Sequence, residues 1–181
     1  MFSRPQDCVL VLIDPQERLL GAVTGRERLV RNLVLLLRAA RIFEVPVVAT
    51  TQYRKGLGNY VPEVKELLEG LEPFDKMEFS VFKNPAIAER LRSLRRQTLV
   101  LCGAETHICV YQSALSALEE GFRVVVVGDA TSSRTQENHL YGLGRMRDLG
   151  AAVVSTEMLI YEWLGKAGTP AFKELLPYLK D

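Results

Sequence analysis

Cysteine and histidine, the residues that most often form disulfides and zinc sites, are scarce in this chain. It has 3 cysteines and 2 histidines in 181 residues. Cys8, Cys102 and Cys109 are scattered, with no disulfide framework, and this usage is typical of the reducing cytosol. His107 and His139 have no CxxC or HxxxH companions, which argues against a zinc site. We therefore predict a cytoplasmic protein without a metal.

A charge excess and a long hydrophobic run are also missing. The 23 basic and 22 acidic residues give a net charge of +1, so nothing points to a nucleic-acid or membrane partner. Only six apolar residues precede Asp14, too few for a signal peptide or a membrane span. The hydrophobic content of 48% suits one globular domain over residues 1–181.

Glycine-rich phosphate loops are incomplete. The GLG triplets at residues 56–58 and 142–144 lack the third glycine of a dinucleotide fingerprint, and there is no Walker A pattern. We therefore expect no cofactor, and a small molecule as the binding partner.

Strand-like and helix-like segments alternate along the chain, which predicts a doubly wound, mainly parallel sheet with helices on both faces. The predicted strands are residues 8–13, 45–51, 74–76, 98–102, 124–127 and 151–155. The predicted helices are residues 26–43, 62–68, 85–94, 108–120, 136–149, 158–164 and 170–179, with a glycine-rich loop at 55–60.

Three reactive side chains follow apolar strands of this predicted sheet. Asp14 ends the first strand, Lys76 ends the short third one, and Cys109 lies in the first helical turn after the fourth. Ligands of doubly wound sheets bind at this edge. Unpaired amides and the dipole of a helix N-terminus favour a thiolate, so Cys109 is a candidate nucleophile. Taken singly, each residue also fits a structural role: a turn, a solvated lysine or a buried thiol.

Together these segments resemble the isochorismatase-like cysteine hydrolases. The matching stretches are residues 10–16 (LVLIDPQ), 76–82 (KMEFSVF), 102–110 (CGAETHICV) and 121–133 (GFRVVVVGDATSS). The GxETHxCV segment is the most specific of them. Residues 51–58 (TQYRKGLG) and the SSR at 132–134 also resemble the isochorismatase-domain-containing subgroup of unassigned substrate.

The resemblance implies a Rossmann-like three-layer fold with six strands and a catalytic triad of Asp14, Lys76 and Cys109. It also implies a cis peptide at Ala104–Glu105, and we expect the backbone N–H groups of Glu105 and Cys109 to form an oxyanion hole. Homo-oligomers are general in the family. The late apolar residues Ile160, Tyr161, Trp163, Leu164 and Phe172 exceed what the sheet needs, so they also predict a homo-oligomer.

One departure from the family separates this chain from its nicotinamidases, which carry an Asp/His metal cluster after the second strand. Residues 50–60 (TTQYRKGLGNY) contain neither histidine nor carboxylate, which again argues against a metal. The pocket walls are expected to include Gln16, Gln52, Tyr53, Phe79 and His107.

Three functions remain open from the sequence. The first is hydrolysis of a small amide or related C–N bond through a thioester on Cys109, with Asp14 moving the proton and Lys76 balancing charge. The second is vinyl-ether hydrolysis of the isochorismate type, with Asp14 as general acid and Cys109 a bystander. The third is a non-catalytic binding or scaffold protein that keeps the fold.

Overall fold

A six-stranded parallel sheet forms the centre of the protein, in a computed structural model that describes residues 3–180. The strands are β1 (Cys8–Ile13), β2 (Val47–Gln52), β3 (Phe74–Lys76), β4 (Thr98–Ala104), β5 (Arg123–Ser132) and β6 (Ala152–Val154). Their order is β3-β2-β1-β4-β5-β6, and every neighbouring pair is parallel. This confirms the predicted doubly wound α/β fold.

The helices cover both faces of the sheet. They are α1 (Glu17–Leu20), α2 (Arg26–Ile42), α3 (Arg54–Leu57), α4 (Pro62–Lys65), α5 (Pro85–Ser93), α6 (Tyr111–Glu119), α7 (Gln136–Asp148), α8 (Thr156–Leu164) and α9 (Pro170–Leu179). Among residues 3–180, no helix is both long and apolar enough to cross a membrane.

Strand β1 shows why its sequence is an unbroken apolar run. Side chains alternate across a strand. Leu10 and Leu12 therefore pack in one core with residues of α2, α8 and α9. Val9 and Val11 pack in the other core with residues of α5, α6 and α7. All four side chains are fully buried, so β1 has no face on which a polar residue would meet water.

Several predicted boundaries differ from the structure. β5 was predicted to end at Val127, but it runs to Ser132, because Thr131 and Ser132 pair with the end of β4. Short helix α3 occupies part of the predicted loop at residues 55–60. The predicted helix at 108–120 divides into a π-helical turn (Thr106–Val110) and α6.

The late apolar residues correct one inference about assembly. Ile160, Trp163 and Leu164 lie in the core beneath the sheet, and Phe172 packs against that core. These residues were predicted to exceed what the sheet needs, but they cover it instead. Of the same group, only Tyr161 has a largely exposed side chain.

Gly103 allows the ends of β1 and β4 to approach each other closely. It pairs with Ile13, and its φ of +117° lies in a region that favours glycine. A Cβ atom at this position would overlap the carbonyl oxygen of Ile13. The backbones of β1 and β4 are therefore in contact at their ends. Asp14 follows one of these ends, and the turn that contains Cys109 follows the other.

We expect Gly103→Ala to lower the free energy of unfolding by about 3 kcal/mol or more, because backbone atoms of β1 would have to move. Gly121→Ala is the matched control: its φ is +84°, but no heavy atom lies within 4 Å of the added Cβ. That control should lose only about 1–2 kcal/mol. Urea denaturation measures both. Equal losses would show that the close approach to Ile13 contributes nothing.

Candidate active site

Asp14 is a buried carboxylate directly after β1. Its φ of +51° is left-handed, and its side chain is fully buried. Oδ2 accepts a 2.7 Å hydrogen bond from Lys76 Nζ, and Oδ1 accepts one of 2.7 Å from Thr50 Oγ1. Both carboxylate oxygens therefore have a donor, as a buried charge requires.

Lys76, the last residue of β3, reaches Asp14 across β2. The Lys76 side chain is wholly buried, which a lysine tolerates only with paired charge. Its Nζ also donates a 2.6 Å hydrogen bond to Gln52 Oε1. Thr50 and Gln52 are two residues apart on β2 and so lie on the same face. They bridge the gap between the aspartate and the lysine.

Burial sets the protonation of Asp14. Removal from water raises the pKa of its carboxyl, while Lys76, through charge and hydrogen bonding, and the bonds from Thr50 and Cys109 lower it. Burial is the larger effect, and the pKa lies above the ordinary range for aspartate. A carboxylate of this kind accepts a proton more readily than an exposed one, which suits a general base.

Cys109 lies in the π-helical turn and is 5% exposed. Burial, followed by the charge of Asp14, raises the pKa of its thiol to about 12. Lys76 and the backbone amide of Glu105 act in the opposite direction but more weakly. This raised pKa runs against the thiolate that a helix N-terminus favours, because removal from water outweighs the interactions that stabilise the charged form. The thiol of Cys109 interacts with Asp14, and its role as the nucleophile stays a prediction.

The peptide bond Ala104–Glu105 is cis, as the resemblance implied. The carbonyl of Glu105 accepts hydrogen bonds from the amides of Ile108 and Val110, and these bonds anchor the turn that carries Cys109. The amide of Glu105 faces the thiol and lowers its pKa. That the amides of Glu105 and Cys109 bind an oxyanion remains a prediction.

Gln16 and Gln52, both predicted to line the pocket, are engaged with the protein itself. Gln16 is fully buried, and its Nε2 donates to the carbonyls of Gln52 (3.2 Å) and Gly58 (2.8 Å). Its Oε1 accepts from the amide of Gln52 at 2.7 Å. Gln52 Nε2 donates to the carbonyl of Met77. These bonds indicate that the two glutamines position Lys76; their contact with a substrate stays a prediction.

The other three predicted wall residues have accessible side chains. Tyr53 and Phe79 are exposed, by 46% and 51%. His107 is half-buried, and its Nδ1 lies 2.9 Å from Ser133 Oγ. Each is free to meet a ligand, although the role itself is untested.

Sequence reasoning missed Thr50 and Arg134 at this site. Thr50 lies in an apolar strand two residues before Gln52, and that spacing was the signal that could have revealed it. Arg134 lies two residues after the end of β5, but the strand was predicted to end seven residues before Arg134. Within residues 3–180, no three His, Cys, Asp or Glu side chains cluster as a metal site would require. A metal-free site stays a prediction.

The family model of the isochorismatase domain matches residues 8–158. Isochorismatase domain-containing protein 2 of Macaca fascicularis is 39% identical over 178 residues, covering 98% of this chain and 85% of that protein. The structure of MAR1 ribonuclease from Caenorhabditis elegans matches with a TM-score of 0.92 at 33% identity, covering 100% and 93% of the two chains. The ycaC gene product of Escherichia coli, an octameric hydrolase of unknown specificity, matches with a TM-score of 0.92 at 24% identity, covering 98% and 90%.

Proposed function

This chain belongs to the isochorismatase family of hydrolases, and from that premise we propose that it cleaves a small amide or related C–N bond through a thioester on Cys109. The observation that carries the proposal is a thiol that interacts with Asp14, itself bonded at 2.7 Å to Lys76. A nucleophile, a base and a cation that orients the base are the parts that acyl transfer needs.

Proton movement follows from the two raised pKa values. As Sγ of Cys109 bonds to the substrate carbonyl carbon, the thiol proton passes to Asp14, which burial has made a stronger base. The C–N bond then breaks, and the leaving nitrogen takes that proton. Asp14 next removes a proton from water, whose oxygen attacks the thioester carbon. The C–S bond breaks, the acid leaves, and the proton on Asp14 returns to the sulfur of Cys109.

Lys76 keeps the charge of this cycle balanced. Its Nζ lies 2.7 Å from Asp14 and its side chain has no exposed surface, so water screens its attraction for the carboxylate, and for a negative charge on sulfur, only weakly. The amides of Glu105 and Cys109 are the proposed donors to the carbonyl oxygen as it becomes negative. No metal is part of this proposal.

Vinyl-ether hydrolysis is a second candidate, favoured by the raised pKa of Asp14 and by the family itself. A buried aspartate whose pKa is raised holds its proton more tightly than an exposed one and can act as a general acid toward an enol ether. In that reaction Cys109 forms no bond to the substrate.

Single-turnover mass spectrometry separates the two reactions. With a panel of small amides and ureides, we expect an acyl adduct on a peptide that contains Cys109, and no adduct in Cys109→Ala. A vinyl-ether substrate that turns over equally well in both proteins would overturn the amide proposal. Cleavage of RNA by both proteins, with no adduct from any amide, would also overturn it.

Gln52 offers a test of how Lys76 is positioned. We expect Gln52→Ala to lower kcat about tenfold to a hundredfold with little change in KM, since Nζ of Lys76 would lose a fixed acceptor. Gln52→Glu adds a carboxylate near Asp14, which raises the pKa of Asp14 further and moves the acid limb of the pH–rate profile to higher pH. The exposed Gln6→Ala is the control. A change confined to KM would assign Gln52 to substrate contact instead.

We also propose a homo-oligomer. Large apolar side chains are exposed on two helices: Leu140 and Tyr141 on α7, and Met158 and Tyr161 on α8. The E. coli structural relative is described as octameric. Light scattering at micromolar concentration should give a multiple of 20.3 kDa, whereas a mass of 20.3 kDa would show a monomer and refute the proposal.

A further inference from the structure

Arg134 is a fixed cation beside the turn that carries the nucleophile. It follows β5, and its side chain is 59% exposed. Its Nε donates to Glu105 Oε2 at 3.1 Å, and its backbone N–H donates to the same oxygen at 2.9 Å. Neither Nη group has an acceptor in the part of the chain that the structure describes. The guanidinium is therefore held from one side and leaves its outer donors available.

Glu105 connects this cation to the catalytic thiol. Its side chain is only 6% exposed and binds Arg134, while its backbone amide faces Cys109. A buried carboxylate is a rigid anchor, since moving it would leave its charge unpaired. Arg134 is thus held against Glu105, the residue that directly precedes the turn containing Cys109.

A second nitrogen lies in the same region. Ser133, the neighbour of Arg134, is fully buried and its Oγ lies 2.9 Å from His107 Nδ1. Within residues 3–180, His107 Nε2 has no hydrogen-bond partner. The imidazole ring is thereby fixed through one nitrogen and open at the other. It presents an additional polar contact in the turn that contains Cys109.

The charges of the site show which ligand these groups suit. Asp14 is buried and paired with Lys76, and Glu105 is buried and paired with Arg134. Both carboxylates are paired and almost wholly buried, whereas the side chain of Arg134 is 59% exposed. Paired N–H groups of a guanidinium match the two oxygens of a carboxylate.

We propose that Arg134, with His107 Nε2 beside it, binds a carboxylate on the substrate. The substrate class is then a small amide or ureide that also carries a carboxylate, with its scissile carbonyl at Cys109. This inference rests on the proposed amide hydrolysis for the role of the site, although binding of the anion can be measured without turnover.

The test uses a matched set of probes and variants. Succinamate, glutaramate and adipamate carry a carboxylate at increasing distance from the amide, and butyramide is the neutral counterpart of succinamate. The variants are Arg134→Gln and Arg134→Lys, and the exposed Arg145→Gln on α7 is the control for the change in net charge. Each is made also in Cys109→Ala, where calorimetry measures binding without reaction.

We expect at least one carboxylate-bearing amide to bind Cys109→Ala, and Arg134→Gln to weaken that binding roughly tenfold to a hundredfold. In protein that keeps Cys109, Arg134→Gln should raise KM by a similar factor. The affinity of Arg134→Lys should lie between those of the native residue and Arg134→Gln, because lysine keeps the charge but lacks the paired donors. The affinity for butyramide should change less than about threefold in Arg134→Gln. The control Arg145→Gln should alter the affinity for neither succinamate nor butyramide.

Two results would overturn the inference. One is an equal loss of affinity for butyramide and succinamate in Arg134→Gln, which would mean that Arg134 only positions Glu105. The other is no binding of any carboxylate-bearing amide at millimolar concentration. Anion binding through Arg134 without a Cys109 adduct would instead contradict the proposed function and leave this inference standing.

Discussion

Cys109→Ala should lower kcat/KM for an amide substrate by about 10⁴- to 10⁶-fold, because no other group can form the thioester. Cys102→Ala is a matched control: Cys102 lies on β4, fully buried, and its Sγ donates to the carbonyl of Val11. It has no partner in the proposed chemistry, so its activity per folded molecule should stay within about threefold of the native value. Steady-state assays with circular dichroism to verify folding measure both.

A Cys109→Ala protein with undiminished activity would contradict acyl transfer and leave Asp14 as the acting group. Asp14→Asn then gives the complementary result. Loss of activity in Asp14→Asn alone indicates general acid catalysis without a cysteine intermediate, whereas loss in both variants indicates the thioester route.

Lys76→Met should lower the free energy of unfolding by about 3–5 kcal/mol, since it leaves the buried carboxylate of Asp14 uncompensated. The change should also abolish most activity, because nothing then orients Asp14. Arg92→Met is the matched control: Arg92 forms an ion pair with Glu120 of comparable length, 2.8 Å, but both side chains are partly exposed. Exposed pairs contribute little, so this control should change stability only slightly.

The stability of Lys76→Met should depend on pH in one direction. The pKa of Asp14 is already raised in the folded protein, and loss of Lys76 removes an interaction that lowers it. The folded state then binds a proton that the unfolded state has released. Stability must therefore fall as pH rises from the unfolded-state pKa of aspartate, about 3.9, through the raised folded-state pKa.

The double variant Asp14→Asn with Lys76→Met removes both charges. It should recover much of the stability lost in Lys76→Met and show no such fall with rising pH, while remaining inactive. Chemical denaturation at several pH values measures these differences. A double variant no more stable than Lys76→Met would show that packing, rather than the unpaired charge, causes the loss.

The sequence by itself determined the layered fold and the place of the site. The unbroken apolar run of β1 can only be buried on both sides, and helices must then cover both faces of the sheet. Asp14, Lys76 and Cys109 could be assigned to one edge because each follows such a run. The segment around Cys109 also carried the family resemblance, and with it the cis bond before Glu105. All of these are local patterns, readable from neighbouring residues.

Only the tertiary structure decided which side chains meet at the candidate site. Asp14 and Lys76 are 62 residues apart and meet because β2 lies between their strands. The pKa of Cys109 depends on how much water the whole fold removes and on which charges lie nearby on other strands, so its position in the sequence could not reveal that burial raises the pKa. The pairing of Glu105 with Arg134 likewise needed the true end of β5. Electrostatics and side-chain partners depend on contacts between distant segments, and a local sequence pattern contains no information about them.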